Sequence, residues 1–283
     1  MTETSDTASG QRPPILRGKD PQAPSVFTAE ALLRESRRQK GIGSGTIPEV
    51  CILDPDGDMV RYLRATNRAE RLSIWPCYHT ELYGFEYEGV SCGIIGCAVG
   101  ASFAVLLAEE LFACGCKLLI SMTSAGQIVP VQAPPYFILI DRALRDEGTS
   151  YHYMPAADYS YANENLVRLA EESLADAGMS VRVGAAWTTD APFRETEAAV
   201  SAAQGAGILA VEMEAAALYA FASARNKALL CLAHVTNQMG RMEGDFEKGI
   251  ADGAEESLTV IARVARRWRG SSVLSKTARL PAA

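Results

Sequence analysis

Two glutamates two positions apart, Glu212 and Glu214, are the residues of this sequence best placed to act together on one ligand. They lie where the apolar run 208–211 gives way to an alanine-rich helical pattern. On a regular helix, side chains at this spacing diverge by about 200°, so both carboxylates reach one ligand only at an irregular strand-to-helix junction. Ionised carboxylates there would accept hydrogen bonds from hydroxyl groups. The alternative interpretation is that both acids complement the dipole of the first helical turn.

Alternating strand-like and helix-like segments would position this pair. The predicted strands cover 90–96, 117–122, 136–140, 181–187 and 228–235, and the predicted helices cover 28–40, 102–114, 163–177, 212–225 and 253–268. Thr28 is a typical N-cap for the first helix, and Gly41, Gly115 and Gly178 are typical C-terminal stops. The alternation predicts an α/β sheet whose ligand binds at the carboxyl ends of strands.

The chain divides into four predicted segments. Residues 1–27 hold four prolines among polar residues and are expected to form a flexible leader. Residues 28–47 form an N-terminal helix and linker, residues 48–270 form the main α/β domain, and residues 271–283 form a polar tail.

Composition excludes several classes of protein. The chain has 283 residues, with 27 basic and 34 acidic side chains, so its formal net charge is −7. A mildly acidic chain without a basic run does not favour nucleic acid as a partner. The acidic, polar start does not resemble a signal peptide, and no apolar stretch approaches the ~20 residues of a membrane span. We therefore expect a cytoplasmic protein without a membrane partner.

The cysteine and histidine pattern does not predict a metal site. There are seven cysteines, an odd number, and three histidines. No C-x-x-C pair is present, so we expect no structural zinc and interpret the thiols as small core residues in a reducing compartment. His79 and His152 are candidates for proton transfer. The more frequent role for a histidine beside aromatic residues is structural.

Four segments resemble the nucleoside phosphorylase superfamily, which holds the purine nucleoside and uridine phosphorylases. The stretch 211–219, Val-Glu-Met-Glu-Ala-Ala-Ala-Leu-Tyr, resembles the superfamily signature. The segments 57–61, 96–102 with 123–126, and 187–195 resemble its phosphate loop, its paired glycine-rich loops and its base-facing loop. The resemblance covers about 48–268. It implies a single three-layer domain with a central mixed β-sheet flanked by helices.

The resemblance also implies roles for individual residues. The position of Glu214 binds the sugar hydroxyls, Met213 packs against the sugar, and Glu212 lies near the base. Asp190 and Phe193 belong to the base-facing loop. The phosphate-binding positions are Gly57, Arg61, Thr123 and Ser124. These roles fit the chemistry, because cleaving an N-glycosidic bond builds positive charge on the sugar and phosphate needs an arginine and backbone N–H groups.

Asn237 stands where many members of the superfamily have a proton-donating aspartate. An amide can hydrogen-bond a ring nitrogen and an oxo group together. A catalytic Asn237 therefore favours a 6-oxopurine base. The alternative interpretation is a capping asparagine at the end of a strand.

Two phosphate-binding arginines of the superfamily are absent. Ser121 stands where one of them usually ends the middle strand, and an arginine lent by a neighbouring subunit would fall near Tyr78 or His79. Arg64 and Arg68, near Arg61, are candidates to compensate.

Three functions remain open on this sequence. The first is a nucleoside phosphorylase of purine salvage, with inorganic phosphate as co-substrate, no cofactor, and a homo-oligomer (a dimer or a trimer of dimers) as the expected assembly. The second is a nucleosidase in which water replaces phosphate. The third is a non-catalytic nucleoside or nucleotide-binding protein.

Overall fold

A computed structural model describes residues 13–240 and 243–271 of the chain. The helices are α1 Ala29–Lys40, α2 Asp58–Ala65, α3 Ala101–Ala113, α4 Glu164–Asp176, α5 Glu197–Gly205, α6 Ala215–Arg225 and α7 Ala254–Gly270. The strands are β1 Val50–Asp54, β2 Ala69–Arg71, β3 Tyr83–Tyr87, β4 Val90–Gly96, β5 Leu118–Gln127, β6 Tyr136–Asp146, β7 Tyr159–Tyr161, β8 Arg182–Thr189, β9 Ala210–Glu212 and β10 Ala228–Asn237.

All ten strands form one mixed sheet, and five of them close into a ring. From one edge the order is β2-β3-β4-β1-β5, and β5 then pairs with both β9 and β10. The ring continues from β9 to β8, β6 and β10, and so returns to β5. Along one edge, β5 pairs with β1 at 118–121 and with β9 at 126–127, which leaves its other edge for β10. The closure brings the ends of β5, β8, β9 and β10 together.

Helices cover both faces of the sheet, which confirms the predicted three-layer α/β fold. α1, α3 and α6 pack into one apolar layer with alternate residues of the central strands. α2, α4 and α7 pack into the other. Because successive side chains of a strand point to opposite faces, β5 contributes to both layers. Leu119 faces α3 and α6, whereas Ile120 and Met122 face α7.

Local signals in the sequence explain where helices begin and end. The Thr28 hydroxyl accepts from the Ala31 N–H at 3.2 Å, and Gly41 follows α1 in the left-handed conformation with φ 63°. α6 begins at Ala215, three residues later than the predicted 212, because 210–212 continues as β9. β5 and β6 extend five or six residues beyond their predicted ends, through polar and small residues that hide a strand pattern. β2, β3, β7 and α5 were not predicted.

The described part of the predicted leader, residues 13–27, contacts the rest of the chain. Ile15 is half-buried beside Gly148, and the Lys19 ammonium lies 3.1 Å from Nδ1 of His152. Ile15 and Lys19 therefore contact the rest of the chain, and the flexibility of residues 1–27 stays a prediction. Residues 1–12 and nearly all of the predicted tail, 272–283, lie outside the described residues. In the part of the chain that is described, no helix is both long and apolar enough to cross a bilayer.

Tyr219 joins α6 to two strands of the ring. It is 1% exposed, and its hydroxyl donates to the Ile140 carbonyl at 2.6 Å and accepts from the Cys231 N–H at 2.9 Å. The β6–β8 register shifts between Ile140 and Arg142, which leaves the Ile140 carbonyl in need of a donor.

Tyr219→Phe should lower the free energy of unfolding by about 2 kcal/mol, because it leaves a buried carbonyl and a buried N–H without their partner. Urea unfolding followed by circular dichroism measures the loss. Tyr161→Phe is the matched control, since that tyrosine is 62% exposed. An equal, small effect of both substitutions would contradict a stabilising role for the Tyr219 hydroxyl.

Candidate active site

The junction between β9 and α6 is held by the carboxylate of Glu212. Its Oε2 accepts from the backbone N–H groups of Glu214 and Ala215, each at 2.7 Å, and its Oε1 accepts from the Thr188 hydroxyl on β8. The same hydroxyl accepts from the Ala216 N–H at 2.9 Å. Residues 215–222 of α6 are buried, so the free N–H groups of its first turn need acceptors from within the protein. Glu212 and Thr188 supply them.

Glu214 precedes α6 and directs its side chain away from that cap. It is 1% exposed, and its Oε1 accepts from the Gly100 N–H at 2.7 Å. Its Oε2 is buried without a hydrogen-bond partner among the described residues. A buried carboxylate oxygen with no partner is an acceptor left for a ligand. The glycine-rich loop before α3 therefore orients this carboxylate and leaves one oxygen free.

The two glutamates differ in how their charge is stabilised. Burial raises the pKa of both, and the charge of Glu212 raises the pKa of Glu214 further. Three donors oppose the rise in pKa at Glu212. At Glu214 the Gly100 N–H opposes it together with the nearby Thr123 hydroxyl, which donates to the Ser124 carbonyl at 3.2 Å and not to Oε2. Because three donors, two of them at a helix N-terminus, favour the ionised form more strongly, we assign the shared proton of the pair to Glu214.

The predicted phosphate loop connects β1 to α2. Gly57 adopts φ 78°, and a side chain there would meet Cys97 Sγ at 2.7 Å and Arg61 Nη1 at 2.9 Å. The Asp54 carboxylate accepts from the N–H groups of Gly57, at 3.1 Å, and of Val60, at 2.9 Å. Burial raises the pKa of Asp54 to about 7, in spite of these two bonds. The loop thus brings Gly57 and Arg61 together, as the sequence predicts.

Carboxylates of the same loop already occupy the predicted phosphate donors. The Ser124 N–H donates to Oδ2 of Asp56 at 2.9 Å. The Arg61 guanidinium donates to the Asp56 carbonyl at 2.9 Å and forms an ion pair with Asp58. The second oxygen of Asp58 lies 2.5 Å from the Lys248 ammonium. The Arg61 guanidinium is therefore held by its own loop, where it shares the Asp58 carboxylate with Lys248.

A small cavity of about 20 Å³ lies among these acids, about the space of one water molecule. Its lining includes Asp54, Asp56, Asp58, Thr123, Ser124 and His234. Burial lowers the pKa of His234 to about 4, so this imidazole is neutral at ordinary pH and adds no positive charge. Ser121, on β5, is 1% exposed and its Oγ has no partner among the described residues.

The predicted base contacts lie at the ends of β8 and β10. Phe193 is 99% exposed in a short 3-10 turn after β8. Asp190 is exposed and accepts from the Gly148 N–H at 2.9 Å, while Met213 is half-buried between the two glutamates. Asn237, 9% exposed, ends β10 opposite Gly126.

The Asn237 side chain caps the turn that follows β10, as in the alternative interpretation of this residue. Its Oδ1 accepts from the Met239 N–H at 2.9 Å, and its Nδ2 donates to the Thr236 hydroxyl at 3.3 Å. An amide nitrogen has two hydrogens, so one remains for another acceptor. If Asn237 contacts the base, it therefore donates to it through this remaining N–H.

Comparison with known proteins agrees with this architecture. The family model described as the Phosphorylase superfamily matches residues 49–267. The chain belongs to this superfamily. It is 29% identical over 185 residues to the DeoD-type purine nucleoside phosphorylase of Bacillus cereus (strain ZK / E33L), covering 63% of this chain and 77% of that protein. The Bacillus thuringiensis (strain Al Hakam) protein of the same name matches equally, at 29% identity over 185 residues.

Solved structures of superfamily proteins share the fold. Uridine phosphorylase from Vibrio fischeri ES114, complexed with 6-hydroxy-1-naphthoic acid, matches with a TM-score of 0.65 and 20% identity, over 80% of this chain and 93% of that one. Purine nucleoside phosphorylase from Toxoplasma gondii, in complex with immucillin-H, matches with a TM-score of 0.66 and 16% identity, over 79% and 93%. Identities this low establish the fold alone.

Sequence reasoning missed the residues that support the superfamily signature. Thr188, Gly100 and Asp56 all bond to predicted site residues, yet none was predicted as a site residue. Gly100 and Thr188 fall within the segments 96–102 and 187–195 that resemble superfamily loops, and Asp56 falls within the acidic run 54–58, but nothing in the sequence singles out these three residues. Thr188 precedes its partner Glu212 by 24 positions and Gly100 precedes Glu214 by 114, so only the tertiary fold reveals them.

Glu214→Gln should stabilise the protein increasingly as pH rises. The pKa of Glu214 is raised in the folded state, so the wild type loses stability as pH rises from the ordinary carboxyl range through the raised value, and the amide does not. Urea midpoints between about pH 5 and pH 9 give the difference. Exposed Glu256→Gln should give little difference at any pH, and an equally flat result for Glu214→Gln would contradict the assignment.

Glu212→Gln should destabilise the protein throughout that pH range, by about 2 kcal/mol. An amide offers one acceptor oxygen where the carboxylate serves three donors, and its N–H₂ group faces a donor. The same urea unfolding series measures the loss. A stabilising Glu212→Gln would overturn the capping role.

Proposed function

We propose that the protein cleaves the N-glycosidic bond of a nucleoside. The observation that carries the proposal is the Glu214 carboxylate, buried with one oxygen fixed by the Gly100 N–H and the other without a partner. A sugar hydroxyl that donates to that free oxygen favours the ionised form of Glu214, so the proton assigned to Glu214 in the free protein leaves on binding. Bond cleavage builds positive charge on the sugar, and a buried carboxylate stabilises that charge more strongly than water does.

A 6-oxopurine is the base that we favour. The remaining N–H of Asn237 would donate to an acceptor of the base, such as a ring nitrogen or an oxo group. The names of the 29% identical Bacillus proteins support a purine. Phe193, Asp190 and Met213 are the proposed contacts around base and sugar, and Glu212 acts by positioning Glu214.

Water is the acceptor that the geometry favours over phosphate. A phosphate on this loop would need the Ser124 N–H and Arg61, and carboxylates of the loop hold both. It would also meet the charge of Asp56, which has no ion pair among the described residues, whereas Asp58 is paired with Arg61 and Lys248. Oδ1 of Asp56 has no hydrogen bond among the described residues, so it is available to a water molecule.

In hydrolysis, one bond to the sugar C1′ breaks and another forms. The bond between the sugar C1′ and the base nitrogen breaks, and its electron pair leaves with the base. The water oxygen bonds to C1′, and the water proton passes to a carboxylate, for which Asp56 is the candidate. The departing base takes up one proton from solvent, and Asp56 returns its own to solvent, so no net proton is gained or lost. The products are a free base and a free pentose.

Phosphorolysis is the second candidate, and one observation favours it. Gly57 and Arg61 lie together at the start of α2, as a phosphate loop requires. The Asp56 carboxylate would have to leave the Ser124 N–H before phosphate could use it. The roles of Thr123 and Ser124 at a phosphate belong to this candidate.

Release of free base from inosine, guanosine, adenosine, uridine and methylthioadenosine, with and without phosphate, tests the proposal. We expect release without phosphate, fastest from inosine or guanosine, and a loss of roughly 100-fold in Glu214→Gln because its free oxygen accepts the sugar hydroxyl. Glu256→Gln is the control for that variant. Release only with phosphate would establish the phosphorylase instead. Binding of these nucleosides without any release would establish the binding protein.

Asp56→Ala should gain affinity for inorganic phosphate, because it frees the Ser124 N–H and removes a repelling charge. We expect binding at least about tenfold tighter than wild type, or roughly 1.4 kcal/mol, by titration calorimetry. Asp190→Ala is the matched control, since Asp190 also accepts from one backbone N–H but lies outside the loop. Tight phosphate binding by the wild type would contradict the proposed role of Asp56.

A further inference from the structure

Three metal-ligating side chains meet on the other side of α3 from the signature. The ligand atoms of Cys77, His79 and Glu110 all lie within 4.8 Å of one another. Cys77 and His79 belong to the segment between β2 and β3, and Glu110 belongs to α3. None of the three has a role in the proposed function. The sequence did not predict this cluster, because its donors are of three kinds and one of them is 31 positions beyond the others.

Glu110 is a buried carboxyl group that has the Cys77 thiol beside it. It is 1% exposed, and neither carboxylate oxygen has a hydrogen-bond partner among the described residues. Burial raises its pKa. Leaving a carboxylate unpaired in an apolar layer is costly unless it binds a proton or a cation. The buried, unpaired carboxylate therefore indicates a missing partner at this point.

Cys77 is placed to contribute a sulfur ligand. Its Sγ accepts from the His79 N–H at 3.3 Å and from the Thr80 hydroxyl at 3.4 Å. Burial and the Glu110 carboxylate raise the pKa of the thiol in spite of these two donors, so the free protein holds it as S–H. Donors to sulfur are typical of the outer shell of metal thiolates. A cation bound to both sulfur and carboxylate would remove the effect of Glu110.

His79 gives the cluster an opening to solvent. Its side chain is exposed, and its ring packs edge-on to Phe103 with centroids 6.4 Å apart. The nearby Lys40 ammonium is held by the carbonyls of Pro76, at 3.0 Å, and Cys77, at 2.5 Å. Those carbonyl bonds fix the position of the Lys40 charge and leave the thiol, imidazole and carboxylate free to share a cation.

We propose that Cys77, His79 and Glu110 bind a divalent transition metal ion, with zinc as the best fit. Thiolate, imidazole and carboxylate are the ligands that Zn²⁺ takes in proteins, at about 2.0–2.3 Å. The three donors need to close by about an ångström, which rotation of the exposed His79 side chain allows. Binding releases the thiol proton of Cys77 and any proton on Glu110 to solvent. The ion joins the segment 75–80 to α3, and the fourth position faces solvent beside His79.

Cobalt titration of the full-length protein, stripped of metal with a chelator, tests the site. We expect one Co²⁺ per chain, with a sulfur-to-cobalt charge-transfer band and the d–d bands of a four-coordinate site, all displaced by Zn²⁺. Cys77→Ser should abolish the charge-transfer band, and Glu110→Gln should weaken binding by more than about 100-fold, the upper end for losing an outer-shell partner. Cys97→Ser is the control, because Cys97 is an exposed thiol outside the cluster.

A second measurement does not depend on substituting a buried residue. Zn²⁺ should raise the thermal unfolding temperature of the wild type and of His152→Ala, an exposed histidine elsewhere on the surface, but not of His79→Ala. A charge-transfer band that persists in Cys77→Ser, a zinc effect that persists in His79→Ala, or no saturable binding at all would overturn the proposal. In the last case Glu110 holds a proton in place of a metal.

Discussion

The cap that Glu212 and Thr188 place on the buried N-terminus of α6 is the interaction on which the candidate site depends. A helix surrounded by protein cannot leave its first N–H groups to water, and here one carboxylate and one hydroxyl satisfy three of them. The cap holds the chain in a non-helical conformation at Glu214, with φ −132° and ψ −38°. That conformation directs the Glu214 carboxylate to Gly100. One acid of the signature therefore builds the junction, and the other keeps a carboxylate oxygen free for the sugar hydroxyl that we propose it binds.

Ring closure of the sheet is the condition for this cap. Thr188 reaches Glu212 because β8 runs parallel to β9, with Thr188 opposite Glu212 in the register. β9 in turn pairs with the last residues of β5, and β10 brings Asn237 opposite Gly126. Tyr219 ties α6 back to β6 and β10. The hydrogen bonds that close the ring are therefore the ones that assemble the site.

The charges around the loop after β1 differ from those of a typical anion-binding site. The loop after β1 carries three aspartates, and they bond to the donors that an anion would use. Arg61 shares the Asp58 carboxylate with Lys248, and the neutral His234 adds no further positive charge. Positive charge that develops on a bound sugar is stabilised in such surroundings, whereas a bound phosphate is not. Under the proposed function, the Glu214 carboxylate and the charge of Asp56 would favour the transition state of glycosidic cleavage over the binding of phosphate.

The sequence predicts the helices and the signature well because their signals are local. Thr28 and Gly41 bound α1, and the change of pattern near 212 marks the junction. The extension of β5 through 123–127 is hidden because small and polar residues there line the site and the ring closure. The partners of the two glutamates are hidden too, since Thr188 and Gly100 are ordinary residues until the fold brings them near. Glu110 gives no signal within an alanine-rich helix.

The most direct test of the account is the identity of the sugar product formed in ¹⁸O-labelled water with phosphate present. Mass spectrometry of the reaction with the best nucleoside substrate reports which acceptor was used. The account predicts free pentose that carries one label from the solvent, with no pentose 1-phosphate. Pentose 1-phosphate as the main product would contradict it, and would mean that phosphate displaces Asp56 from the Ser124 N–H.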